Sequence, residues 1–208
     1  LEIAKESIEY FLYTPGNTIV ENNVEEYWKK VTLILKKLSK KIENRIKDVV
    51  AIITSSQAET IVPVDEHIKP LRNAIVWIDM RSTIEAKEIS NRFDLDDMYQ
   101  KTGSPEVDPS WPATRILWLK KNEPEIFSKT YKFLLLNDYM LYKLSGEIIG
   151  EATTYNSSYY YDIIKFEYLP DILDFIGTSK KKLPEVVKSG TVIGNISKEV
   201  ATATGLEP

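Results

Sequence analysis

The sequence predicts an α/β fold, and three observations carry that reading. Short β-branched runs alternate with segments of helical periodicity along the chain. Clusters of Pro, Gly, Asn and Asp separate them, as element boundaries require. No internal repeat or low-complexity linker breaks the alternation, so the 208 residues read as one domain with a sizeable core.

Taken in order, Leu1 to Tyr13 sets Ile8, Tyr10 and Leu12 on alternate positions, the pattern of a half-buried strand. Pro15-Gly16-Asn17 is a turn. Asn23 then caps a long helix whose stripe is Trp28, Val31, Leu35, Leu38 and Ile42. Val49 to Thr54 (VVAIIT) is a continuous β-branched run, predicting a strand buried on both faces. Thr60 to Val64 and Ala74 to Ile78 predict two more strands, joined by a turn over Asp65 to Pro70.

Ser82 or Thr83 caps a helix to about Phe93. A loop opens at Thr102-Gly103-Ser104-Pro105 and holds Pro109 and Pro112. The helix through Ile116, Leu117 and Leu119 is broken by Asn122-Glu123-Pro124. Lys132 to Leu136 predicts a buried strand, and Asn137 caps a short helix to Leu144, with Gly146 placed to end it. Tyr155 to Asp162 predicts a strand or a turn, Pro170 to Ile176 a helix, and Val192 to Leu206 a strand followed by a small helix.

Composition excludes several function classes. Net charge is −4 with pI about 5.3, which argues against a nucleic-acid partner. There is no cysteine, so disulfides, thiol nucleophiles and thiolate metal sites are excluded; a reducing cytoplasm is the expected compartment. The single histidine, His67, reads as a turn residue and cannot supply a multi-histidine metal site. No metal site is expected in this chain. No stretch reaches the roughly 18 to 20 apolar residues of a membrane helix, so no membrane partner is expected. The chain starts at Leu1, not at methionine, which reads as an excerpt of something longer or a processed form.

Neither G-x-x-x-x-G-K-[ST] nor G-x-G-x-x-G occurs, and no G-x-S-x-G elbow is present. What remains is polar residues at strand ends, where ligands bind in open α/β sheets. VVAIIT runs into Ser55-Ser56-Gln57-Ala58-Glu59, and AIVWI runs into Asp79-Met80-Arg81. An amide, two carboxylates and a guanidinium suit a polyhydroxylated ligand. The bland alternative is that Asp79 and Arg81 pair with each other or cap the next helix.

Read as a string, Ser56-Gln57-Ala58-Glu59-Thr60, then Pro70-Leu71-Arg72, then Asn73 to Arg81 (NAIVWIDMR), resembles the FGGY carbohydrate kinases. Q-x-E-T and N-A-I-V-W are similar to the glycerol-kinase branch; W-x-D-x-R is similar to xylulokinases. The likeness continues through Thr102-Gly103, Asp108-Pro109, Ala113 to Leu119, Asn122 to Phe127, Asn137-Asp138-Tyr139, Leu144 to Glu147, Leu183-Pro184-Glu185 and Ser189 to Gly194. It spans nearly the whole chain.

The resemblance implies an actin/ribonuclease H-like fold of two α/β domains, with ATP and sugar meeting between them. Residues 1–208 would be most of the N-terminal, substrate-binding domain. ATP and Mg2+ would serve the full-length enzyme, and a sugar or polyol (a xylulose-like ketose or a glycerol-like polyol) would receive the γ-phosphoryl group. By the same resemblance Glu59 and Trp77 are substrate contacts, with Gln57, Asp79, Arg81 and the loop residue Trp111 as further candidates. No catalytic residue is assigned: the presumed base would lie beyond Pro208, and the phosphate-handling D-x-G-T element does not precede Leu1. The chain alone is therefore expected to lack kinase activity.

Two departures weaken the tie to glycerol. The arginine of the glycerol-kinase Q-R-E-T is Ala58 here, and the tyrosine after D-P is Ser110. A larger polyol or ketose fits better. Besides the substrate, the expected partners are the C-terminal ATP-binding domain and a possible second copy in a homodimer. A non-catalytic carbohydrate-binding or regulatory module of the same fold is the alternative. An unrelated interaction domain predicts instead that Glu59, Trp77, Asp79 and Arg81 lie on different faces.

Overall fold

The computed structural model of the protein describes residues 1–207. Its central sheet forms because short β-branched runs find partners on both edges. Strands β1 (Glu21–Asn22), β2 (Ile61–Val64), β3 (Ala74–Ile75) and β4 (Lys132–Leu135) lie in the order β1-β3-β2-β4, each pair antiparallel. Register sets Ile61 opposite both Ile75 and Leu135, and Val62 opposite Leu134.

Alternation along these strands divides the core in two. Ile61, Ile75, Phe133 and Leu135 face one cluster; Val62, Val64, Ala74 and Leu134 face the other. Helix α1 (Val24–Lys41) covers the second face. Asn23 Oδ1 accepts from the backbone N–H of Glu25 and Glu26 at 3.1 and 3.2 Å, the cap expected of it. Helices α2 (Thr83–Arg92), α3 (Leu95–Thr102), α4 (Pro112–Asn122) and α5 (Pro124–Lys129) follow β3, and α6 (Leu136–Ser145) follows β4 directly. Ile89 of α2, Met98 of α3 and Ile116 and Leu119 of α4 enter the first cluster; Tyr139 and Met140 of α6 enter the second.

The remainder is small elements. β5 (Ile149–Glu151) leads into α7 (Ala152–Tyr155); β6 (Tyr161–Asp162) pairs with β7 (Glu167–Tyr168); α8 is Pro170–Ile176; β8 (Glu185–Val187) runs parallel to β5; α9 is Lys198–Thr204. Gly146 ends α6 at φ 85°, a conformation that favours glycine. His67 lies in the turn after β2, where Asp65 Oδ1 accepts from the N–H of His67 and Lys69 at 2.9 Å each.

Several expectations need correction. Val49 to Thr54 is not a strand: Val50 and Ile53 are more than nine-tenths exposed, and among the described residues no strand lies beside them. Leu1 to Tyr13 is likewise unpaired apart from a bridge between Tyr13 and Glu21, and no strand precedes α9 at Val192. A period-2 or β-branched pattern states what a chain can pair with, but a strand exists only beside a neighbour. The Ala74–Ile78 strand stops at Ile75, because Trp77 and Ile78 form a turn closed by Asp79 N–H to Val76 O at 2.8 Å. Asn137 sits inside α6; the capping group is Asp138, whose Oδ2 accepts from Leu135 N–H at 2.8 Å. Helices α3 and α5, to which the sequence reading assigned no element, carry local signals in Asp94 as N-cap and Pro124 in the first turn.

Asp138 also carries a pH dependence. Its carboxylate is fully buried; Oδ2 accepts from Tyr155 Oη at 2.7 Å, while Oδ1 has no partner. Burial pushes its pKa up to about 7, against the pull of the Tyr155 and Leu135 hydrogen bonds. The folded state thus keeps a proton that the unfolded chain releases near pH 4. The contribution of Asp138 to stability is greatest below that pH and is lost as pH rises toward 7. Asp138→Asn keeps the shape and an acceptor oxygen, and is expected to flatten this slope in urea melts between pH 5 and 8. An unchanged slope would show that the proton is held elsewhere.

Candidate functional site

Two turns meet at one end of the β2–β3 pair. The first carries Gln57, Ala58 and Glu59 into Thr60, and the second carries Trp77 to Asp79. Thr60, fully buried, ties them together. Its Oγ1 donates to Gln57 Oε1 at 2.6 Å and accepts from Trp77 N–H at 3.1 Å. Gln57 Nε2 reaches on to Tyr10 Oη at 2.7 Å, bringing in the N-terminal segment.

Arg115 of α4 closes the same junction from below. It is fully buried, and its guanidinium donates to the carbonyl oxygens of Glu59 (2.7 Å), Trp77 (2.9 Å) and Asp79 (3.0 Å). Burial lowers its pKa to about 10, partly offset by the Asp79 and Glu59 charges, so it remains a cation at neutral pH. Ser82 packs the next loop onto this region: its Oγ donates to Pro109 O at 2.7 Å.

The candidate side chains divide into outward and inward sets. Trp77 is 48% exposed, and Glu59 and Gln57 are half-buried at the surface. Asp79 is fully buried: Oδ1 accepts from Arg81 N–H and Nε at 3.0 and 2.9 Å, and Oδ2 accepts from Val20 N–H (2.6 Å) and Arg81 Nη2 (2.8 Å). Arg81 also bonds Glu21 at 2.8 Å and lies over the Trp118 ring. Glu21 in turn pairs with Arg72, which pairs with Glu123. Burial alone would lower the Arg81 pKa, but its bonds to Asp79 and Glu21 outweigh burial and hold it above its ordinary value. In this arrangement Asp79 and Arg81 bind each other, as the bland alternative supposed, and present little surface to a ligand.

The Trp111 side chain makes none of the junction's hydrogen bonds. It precedes α4, and its half-buried ring stacks on Tyr159 at 5.4 Å between centroids. The structure therefore brings Glu59, Trp77 and Asp79 to one junction through their backbones and Gln57 through its side chain, while the side chains of Asp79 and Arg81 turn away from those of Glu59 and Trp77. The residue that sequence reasoning passed over is Arg115. Its signal was a cation on the apolar stripe of α4, between Pro112 and Leu119.

Among the described residues no group of three or more His, Asp or Glu could hold a metal ion, and no helix is long and apolar enough to cross a membrane.

Known proteins similar to this chain are carbohydrate kinases. A gluconokinase of Bacillus subtilis (strain 168) is 27% identical over 206 residues, covering 99% of this chain and 40% of that protein. A xylulose kinase of the same organism is 31% identical over 186 residues, covering 89% and 37%. The crystal structure of a gluconate kinase from Lactobacillus acidophilus superposes with a TM-score of 0.85 at 23% identity, over 99% of this chain and 41% of that one, and shows the same fold. The chain thus spans about two fifths of the length of these relatives. Residues 2–208 match the sequence model described as the FGGY family of carbohydrate kinases, N-terminal domain, and the chain belongs to that family.

Proposed function

We propose that this chain forms the substrate side of an ATP-dependent carbohydrate kinase that transfers the γ-phosphoryl group of ATP to a sugar or polyol hydroxyl. The observation that supports this most is the junction at which Thr60 and Arg115 hold Glu59 and Trp77 together, with both side chains reaching the surface. A carboxylate there accepts hydrogen bonds from ligand hydroxyls, and the indole offers an apolar face to a carbon skeleton. Gln57 adds an amide to the same edge. Asp79 and Arg81 act one layer down, holding the second turn, and Trp111 supports the neighbouring loop.

Phosphoryl transfer rests on positioning and on electrostatic stabilisation of the transferred group. ATP and Mg2+ belong to the full-length enzyme. We assign them to the C-terminal ATP-binding domain of that enzyme, with the base that takes the hydroxyl proton outside the residues of this chain. Ala58 and Ser110 favour a ketose or larger polyol over glycerol, and the cytoplasm is the compartment we propose. The test is a thermal-shift and ATP-consumption screen of the full-length protein against polyols, ketoses and sugar acids. At least one is expected to raise the melting temperature and to be phosphorylated. Silence across the whole set in both assays would reject the reading.

A further inference from the structure

Arg115 presents a puzzle that packing does not answer. It is fully buried, and among the described residues no carboxylate lies at ion-pair distance from it. Its Nε has no partner. Burying a cation with no carboxylate bonded to it is costly, even with the Asp79 and Glu59 charges nearby.

What the guanidinium does that no apolar group can is bind three carbonyl oxygens from two chain segments at once. The donors on Nη1 and Nη2 diverge in one plane. One reaches Glu59 O and the other reaches Trp77 O and Asp79 O. Because the peptide unit is planar, holding a carbonyl oxygen fixes the plane that contains the α-carbon of the same residue. The grip therefore constrains the directions in which the side chains of Glu59 and Trp77 leave the backbone, and the separation between them.

We propose that Arg115 is the positioning residue of the sugar site, setting the spacing of Glu59 and Trp77 through their carbonyls. This rests on the substrate role given above to those two residues. Binding geometry is sensitive to displacements of about 1 Å, so loss of the grip weakens capture of the sugar while ATP, bound elsewhere, is little affected.

The test uses the full-length enzyme with Arg115→Met and Arg115→Lys. Arg115→Met is expected to raise the KM for the sugar by about tenfold or more, with the KM for ATP within about twofold. Amide exchange is expected to quicken in residues 57–60 and 76–80 and to stay unchanged in α1 and α8. Arg115→Lys, which keeps the charge and three donors, recovers part of the sugar KM. A sugar KM within twofold of wild type in both variants, with a lowered melting temperature, overturns the role and leaves Arg115 purely structural. If Arg115→Met does not fold, Arg115→Lys decides alone: a raised sugar KM supports the proposal and an unchanged one overturns it. A wild-type enzyme that phosphorylates no sugar overturns the functional reading and this role with it.

Discussion

Glu59→Ala in the full-length enzyme is expected to lower kcat/KM for the sugar by about 10- to 100-fold, mostly through KM. Hydrogen bonds to a charged group are worth about 1.5 to 3 kcal/mol, and each 1.4 kcal/mol is about tenfold. The backbone of Glu59 is held by Arg115, so the substitution removes the carboxylate without releasing the turn that carries it. Glu59→Gln keeps an acceptor oxygen and should fall between alanine and wild type. The comparison variant is Glu66→Gln, an exposed acid in the turn after β2, expected to change kcat/KM by less than about twofold. Steady-state kinetics with sugar varied at saturating ATP read this out. Equal behaviour of the Glu59 and Glu66 variants would remove Glu59 from the site.

The largest effect on stability is expected at Asp79. Asp79→Ala leaves the Arg81 guanidinium, only 6% exposed, without its bidentate partner and strips Val20 N–H of its acceptor. Breaking a buried ion pair from one side costs about 3 to 5 kcal/mol, because the other charge stays buried. Arg81 keeps one bond to Glu21, which places the loss toward the lower end of that range. Asp79→Asn retains an acceptor for Val20 and should lose less. The contrast is Asp97→Ala, which breaks an exposed i,i+4 pair with Lys101 and is expected to cost less than about 1 kcal/mol. Urea or thermal unfolding of the variants side by side decides the matter. A loss at Asp79 no greater than at Asp97 would mean that the network contributes nothing net.

These two predictions come from residues that the sequence placed in one cluster and whose side chains the fold turned in different directions. Gln57, Glu59, Trp77, Asp79 and Arg81 were all legible as candidates, because they follow apolar runs in the order that resembles the family. Their division into outward and inward sets was not legible. Asp79 turns inward because Val20 N–H and Arg81 meet it there, and Val20 lies 59 positions away along the chain. Arg115 was passed over for the same reason: its partners are backbone oxygens 36 to 56 positions away, and a carbonyl carries no mark in the sequence.

The amino-acid sequence alone was enough for several features decided within a few residues. Asn23 caps α1 through the N–H groups of Glu25 and Glu26, Gly146 ends α6 in the left-handed conformation, Asp65 closes the His67 turn, and α8 runs from Pro170 to Ile176 as its pattern predicts. The ordered string of motifs also sufficed for the family. The tertiary structure alone decided which β-branched runs became strands and which polar side chains face a ligand. Ile61 to Val64 found neighbours on both sides while Val49 to Thr54 found none, although the two runs look alike in composition. The physical reason is common to both outcomes. Caps and turns satisfy backbone groups locally, whereas strand pairing, buried ion pairs and the Arg115 grip need partners that only the folded chain brings within hydrogen-bond reach.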